Sequence, residues 1–461
     1  MAAIPSGSPV MDVDLAVVGF GKGGKTLIGA MAARGKRVAL IEQSDQMYGG
    51  TCINIGCVPT KALIHRAEHP DSRLDGEAWF ARAAEQTATL TAAMRAANFT
   101  LFDSPETSTV VTGRARFEDP HTLVVTAGTD VLRVRAETIV VNTGAEPAMP
   151  PIPGLAESKR VVTSTGMLAL TERPGELIVL GGGYVGVEFA AMHAAYGTRV
   201  TLLQRGPRLL PKEDPEISAE METLLTDAGV RVVTGAAMHA VTDSGDRVRV
   251  GFGDGDGVEA DLVLAALGRR PVTEGLGLEE VGIAVGKRGE VVVDEYLRTS
   301  LPHVYAVGDV NGGPQFTYIS LDDFRIVLDQ LTGEGRRATT DRVAVPHTVF
   351  TTPPLARVGL TSAEARATGR PLKTAVRRVA EMPAVPRAKI VGDARGVMTA
   401  VVDAETDEVL GVTVLAHDAH EVINTVAVGM RCGATASSLR DGIYTHPSMT
   451  EALNDLLGHL G

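Results

Sequence analysis

Residues 13–42 run VDLAVVGFGKGGKTLIGAMAARGKRVALIE. An apolar strand over 13–18 leads into a glycine turn at Gly19, Gly21 and Gly24, then a helical stretch over 25–34 and a second strand over 37–41. That strand ends on Glu42, 18 residues beyond the last glycine. GxGxxG alone is a weak signal, but strand, glycine turn, helix, strand and a terminal acid together form the context that a dinucleotide-binding unit requires. The glycines let the backbone approach a pyrophosphate at a helix N-terminus, where amide donors and the helix dipole favour an anion. Glu42 is then placed to hold ribose hydroxyls.

The device recurs. An apolar strand over 177–180 precedes Gly181, Gly183, Tyr184 and Gly186, a helix is expected over 187–196, and a strand follows over 199–203. The position 18 residues beyond Gly186 is Gln204, with Arg205 and Arg208 after it. A carboxylate there would repel a 2′-phosphate, whereas an amide beside two guanidiniums tolerates one and can pair with it. The expected donor is NADPH, with NADH also possible. Two dinucleotide folds imply two dinucleotides, and FAD in the first with the nicotinamide in the second gives a short hydride path.

The bulk composition agrees with an enzyme of this kind. At 461 residues the chain exceeds the roughly 250–300 at which one core stops growing, so several domains are expected. The net charge of −12 and the lack of a basic run argue against a nucleic-acid partner. Its apolar stretches fall far short of the roughly 20 residues that span a bilayer, so no membrane partner is expected. The opening MAAIPSGSPVM lacks the basic and apolar regions of a signal peptide and reads as a flexible tail, so a cytoplasmic protein is expected.

Cys52, Cys57 and Cys432 are too few and too scattered for a secreted disulfide framework, so the close pair means redox chemistry or metal. The pair lies in GGTCINIGCVPTK, residues 49–61. A five-residue offset on a regular helix is about 7.5 Å of rise, beyond the roughly 7 Å Cα limit of a disulfide, so the segment cannot be one helix throughout. Gly56 and Pro59 place Cys57 at or just before a helix N-terminus, which acidifies a thiol. His65 and His69 follow too closely for zinc-finger spacing and are read as solvated rather than as ligands, with transient copper binding by the two left open, and no metal is assigned. Cys432 is expected to be a small buried residue.

With these motifs the chain resembles the group I pyridine nucleotide-disulfide oxidoreductases, which include glutathione reductase, lipoamide dehydrogenase and mercuric reductase, from about Asp12 onward. NTGA at 142–145, GRRP at 268–271 and VYAVGD at 304–309 are further marks of the family. The resemblance implies an α/β fold of two Rossmann-like dinucleotide-binding domains plus a C-terminal α+β dimerisation domain. It implies FAD contacts at Gly50, Thr51, Lys61, Thr143, Gly144 and Asp309, and Gly268 beside the nicotinamide cofactor. Cys52 would be the thiol that meets substrate and Cys57 the one in contact with flavin. Lys61 and Glu188 match the family's ion pair near the flavin, and Tyr184 its gate over the nicotinamide pocket. YTHPSMTE at 444–451 resembles the interface signature in which His446 and Glu451 reach the thiols of the other subunit of a homodimer.

The strings GFGKGGKTL, ALIEQSDQMYGGTCINIGCVPTK, GGPQFTYISLDDFRIV and THPSMTEALNDL are most similar to the bacterial reactive-chlorine-resistance flavoproteins, which are described as hypothiocyanous acid reductases and as cupric reductases. The small-molecule substrate implied is hypothiocyanous acid or a related oxidant. Reduction of an organic disulfide, lipoamide chemistry, or reduction of Cu(II) or Hg(II) are the alternatives. Mercuric reductases typically carry a C-terminal cysteine pair, whereas this chain ends LNDLLGHLG. The expected division is a flexible tail over 1–11, an FAD domain over 12–155 and 273–340, an NAD(P)H domain over 156–272 and a dimerisation domain over 341–461.

Overall fold

A computed structural model describes residues 9–103, 106–383 and 385–461. Positions 1–8 of the expected tail lie outside them, while Val10 and Met11 belong instead to the first strand, Val10–Val18. They pair there with Arg133 and Val134. The chain forms two compact units: one comprises residues up to Ala62, Ala83–Ala148 and Gly268–Asp341, the other Leu63–Arg82, Met149–Leu267 and Arg342–Gly461.

Among the described residues, the first unit holds a seven-stranded sheet. Its parallel core runs Ser108–Thr112, Val38–Glu42, Val10–Val18, Asp130–Val141 and Val304–Ala306. Strand Val38–Glu42 is buried throughout, as are the C-terminal ends of Val10–Val18 and Asp130–Val141, because both faces of the sheet are covered there, as parallel sheets require. Leu15, Val17 and Leu40 face Leu27 and Ile28 of the crossover helix, while Ala16, Val18 and Ile41 face Phe117, Leu123 and Val134.

That helix spans Lys22–Ala32, so it starts three residues before the expected position. Two of its glycines are required by packing. A Cβ on Gly23 would stand 2.5 Å from the Ser320 carbonyl oxygen, and one on Gly24 2.7 Å from Asn142 Oδ1.

In the second unit a parallel sheet repeats the arrangement, in the order Arg231–Val233, Arg199–Leu203, Glu176–Leu180, Leu262–Ala265 and Val161–Val162. Its crossover helix covers Tyr184–Ala195, again earlier than the expected 187–196. A separate antiparallel sheet contains Leu355–Gly359, Val397–Asp403 and Val409–Leu415. Helix Ala419–Arg431 and helix Ala452–Gly458 share one apolar core with it. The fold is thus α/β with two Rossmann-like halves and a C-terminal α+β portion. Among the described residues no helix is long and apolar enough to cross a membrane.

Candidate functional site

The thiol segment divides as its spacing demands. A short helix, Thr51–Asn54, carries Cys52, and a second, Cys57–Glu68, opens on Cys57. Gly56 fits the break between them, since a Cβ there would lie 2.9 Å from the Thr51 carbonyl oxygen. Gly50, at φ +81°, seats the segment against the first glycine turn, where a Cβ would fall 2.8 Å from the Gly21 Cα.

Both thiols are free; Cys52 is half-buried and Cys57 exposed. The Cys52 thiol donates to Cys57, which lowers the Cys57 pKa, and Thr317, Lys61 and the local backbone push it the same way. The same hydrogen bond, together with burial, raises that of Cys52. Thr317 Oγ1 stands 3.5 Å from Cys57 Sγ. In the reduced pair, Cys57 is therefore the thiolate and Cys52 the thiol.

A cation with no motif of its own in the sequence lies beneath this segment. Lys25 is buried, and its Nζ donates to the Gly49 carbonyl at 3.0 Å and to Asn98 Oδ1 at 2.7 Å. Burial, and then repulsion from Lys22, lowers its pKa to about 8.

The first glycine turn is closely packed on the NTGA stretch. Gly19, at φ +101°, would place a Cβ 2.3 Å from the Asn142 carbonyl oxygen. Asn142 Oδ1 accepts from the Gly24 amide at 3.0 Å, and its Nδ2 donates to the Val307 carbonyl at 2.7 Å. Asn142 therefore ties the glycine turn to VYAVGD. Thr143 Oγ1 donates to the Val272 carbonyl, and Gly144 has φ +72°. Asp309 lies in the same unit, where burial raises its pKa while the Arg269 charge opposes the rise. The buried Asp323 accepts from the Gly308 amide at 2.6 Å. Asp323 lies in GGPQFTYISLDDFRIV, residues 312–327, but its contact with Gly308, 15 residues away, is a tertiary fact.

At the tip of strand Val38–Glu42, the buried Glu42 accepts from the Phe20 amide at 3.1 Å and from the Ser44 amide at 3.3 Å. Burial pushes its pKa up against these donors. The second turn is held by the same bond, for Gln204 Oε1 accepts from the Gly182 amide at 2.9 Å. Gly181 has φ +102°, and a Cβ on Gly186 would stand 1.8 Å from the Gly181 carbonyl oxygen. Gly183 meets nothing within 4 Å at its Cβ position, and Gly268 has φ +117° with the same open space.

Both turns therefore fit a dinucleotide, each with a close backbone approach and a polar group at the second strand's tip. Arg205 is exposed; Arg208 is half-buried and donates to the Pro211 carbonyl at 3.1 Å.

Tyr184 Oη donates to Glu213 Oε1 at 2.7 Å. Glu213 is fully buried and also receives Arg357 Nε at 2.9 Å, with His347 Nε2 at 3.2 Å. Burial and the Glu213 charge raise the Tyr184 pKa, so the ring remains a neutral donor. Glu188 is buried and accepts from the Phe350 amide at 2.8 Å. Lys61 lies one turn into the helix that Cys57 opens.

In the C-terminal portion, His446 Nδ1 stands 2.8 Å from Glu451 Oε1, and the Ser448 amide donates to Glu451 Oε2 at 2.9 Å. Burial opposes ionisation of Glu451, but these two partners outweigh it and its pKa is lowered. A carboxylate only accepts, so Nδ1 carries the proton and the exposed imidazole presents Nε2 as a base. Cys432 corrects its expectation: it is exposed, as the C-cap residue of helix Ala419–Arg431.

Residues 13–323 match the family model described as pyridine nucleotide-disulphide oxidoreductase, and residues 345–457 match that family's dimerisation domain. The chain is 47% identical to the "Probable pyridine nucleotide-disulfide oxidoreductase RclA" of Escherichia coli (strain K12), covering 95% of this chain and 97% of the relative. It is 36% identical to a mercuric reductase of Staphylococcus aureus, covering 96% and 81%. Among solved structures, the Cu(II) complex of the HOCl-induced flavoprotein disulfide reductase RclA from Escherichia coli is similar at a TM-score of 0.92 and 45% identity. That match covers 97% of this chain and 99% of the other.

Proposed function

Because the chain belongs to the pyridine nucleotide-disulfide oxidoreductases, whose cofactors are FAD and NAD(P)H, we propose that it reduces hypothiocyanous acid, or a related small oxidant, in oxidative-stress defence. The observation that carries the reading is the Cys52/Cys57 pair, in which one thiol is kept protonated by donating to an acidified neighbour. Its likeness to an HOCl-induced flavoprotein supports the oxidant class.

When bound, FAD supplies a two-electron relay from the nicotinamide to the pair. Its pocket is assigned to Gly19, Gly21, Gly24, Glu42, Gly50, Thr51, Thr143, Gly144 and Asp309, with Lys61 as a cation beside it. The nicotinamide cofactor is assigned to Gly181, Gly183, Gly186, Gln204, Arg205, Arg208 and Gly268, with Tyr184 as gate and Glu188 as the Lys61 partner. The corresponding division is FAD binding over 12–155 and 273–340, NAD(P)H binding over 156–272, and dimerisation over 341–461.

Cys52 has the raised pKa and needs a base, and His446, oriented by Glu451 from the partner subunit of a homodimer, takes its proton. The Cys52 thiolate attacks the oxidant sulfur. Hydroxide leaves and receives that proton as water, and a Cys52 sulfenyl thiocyanate remains. The Cys57 thiolate then attacks the Cys52 sulfur, thiocyanate departs and the disulfide closes. One hydride equivalent from NAD(P)H restores the pair. Three cysteines in all, two of them the close pair assigned to redox chemistry, suit a reducing cytoplasm.

The test is steady-state NADPH and NADH oxidation by FAD-loaded enzyme with hypothiocyanous acid, run beside glutathione disulfide, lipoamide, Cu(II) and Hg(II). Fast turnover with hypothiocyanous acid, lost in Cys52→Ser while the flavin still reduces, is expected. Preference for an organic disulfide or a metal ion would overturn the substrate assignment. Full turnover in Cys52→Ser would remove that thiol from the mechanism.

A further inference from the structure

The thiol helix, Cys57–Glu68, leads at its far end into HRAEH, residues 65–69. His65, Glu68 and His69 are exposed, as expected for solvated groups, but they do not stand apart. Each brings a ligand atom to within 4.8 Å of the other two. His65 and Glu68, three residues apart, share one helix face, His69 directly follows the last helical residue, and the two imidazole centroids are 4.3 Å apart.

Two contacts determine what this face presents. His69 Nδ1 lies 2.8 Å from the His65 carbonyl oxygen. A carbonyl only accepts, so Nδ1 carries the proton and Nε2 keeps its lone pair, the arrangement typical of a metal-binding histidine. Thr352 Oγ1 donates to Glu68 Oε1 at 2.6 Å. That bond orients the carboxylate and leaves Oε2 to coordinate.

We propose that His65, Glu68 and His69 form a surface site for a divalent transition ion of the zinc or copper(II) class. Two imidazoles with one carboxylate suit such ions, whereas calcium and magnesium take oxygen ligands. Ligand bonds of about 2.0–2.2 Å from one centre reach donor atoms up to about 4 Å apart, so the exposed side chains need only a small rotamer adjustment to close on an ion. Three ligands on one face leave the outer positions to water or an incoming ligand. The site uses none of the cysteines, so it can be measured without them.

The experiment is calorimetric titration with Zn(II) of metal-stripped, FAD-loaded protein carrying Cys52→Ser, Cys57→Ser and Cys432→Ser. One ion per chain is expected. His65→Ala and His69→Ala should each weaken it by about 10- to 100-fold or more, the lower range being what loss of a supporting group alone produces. Glu68→Gln should weaken it less. All three variants alter exposed side chains, and retained flavin absorbance checks their fold. Absence of saturable binding in the parent, or binding unchanged in both histidine variants, overturns the site.

Discussion

Gln204 accepts from the Gly182 amide as Glu42 does from that of Phe20, so Gln204→Glu should keep the turn and add only charge. The variant should shift the kcat/KM ratio from NADPH toward NADH by about tenfold, or about 1.4 kcal/mol, with its melting temperature little changed. An unaltered ratio would discredit the assignment of the loop. Lys25 carries a pH dependence. Its pKa falls from the ordinary 10.5 to about 8 in the folded chain, so between those values the unfolded chain holds a proton that the folded chain has lost. Stability contributed through Lys25 therefore rises with pH across that window. The melting-temperature advantage of the native protein over Lys25→Met should widen from pH 8 toward pH 10. Glu42 and Gln204 were legible because they sit at a fixed distance from a glycine motif. Lys25 was not, since its Asn98 partner is 73 residues away and only the tertiary fold brings them together.

At the level of the element, the last two glycines of the second turn's motif do different work. Gly186 packs helix Tyr184–Ala195 on the turn, where a Cβ would stand 1.8 Å from a carbonyl oxygen, whereas Gly183 faces open space. Gly186→Ala should cost about 1–3 kcal/mol in denaturant unfolding, as overpacking does. Gly183→Ala should leave stability within experimental scatter yet raise the KM for the nicotinamide cofactor, by putting a methyl where the chain's backbone is proposed to approach it. If both variants lose stability equally, Gly183 is structural too. Strand, turn and strand were legible at both sites. Helix starts were not, because Lys22-Gly23-Gly24 looks too glycine-rich for a helix until Ser320 and Asn142 are seen to demand those glycines. The split of the thiol segment followed from chain geometry alone.

On the scale of the whole molecule, the dimerisation match over 345–457 coincides with large apolar side chains left on the surface, Ile443 and Val428 among them. If each active site joins Cys52 of one subunit to His446 of the other, two dead enzymes can repair one another. Cys52→Ser and His446→Ala homodimers should both lack turnover. Statistical re-association of an equal mixture should restore about a quarter of native activity, since half the dimers are mixed and each has one intact site. No recovery, with mixed dimers verified, would place His446 on its own subunit's chemistry or outside it. The His446–Glu451 pairing was legible as a motif with its two members five positions apart. The exposure of Cys432 was not, because a lone cysteine near a helix end carries no signal for which way the cap turns.

The common fastening of the two glycine turns also bears on descent. Glutamate and glutamine codons differ by one nucleotide, and in both turns the acceptor of the fastening bond is the same kind of side-chain oxygen. On the proposed assignment of Gln204 to the ribose end of the second site, the charge there changes in a single mutational step with the turn still tied. A lineage carrying this scaffold would then follow whichever reductant its cell keeps plentiful without passing through a misfolded ancestor.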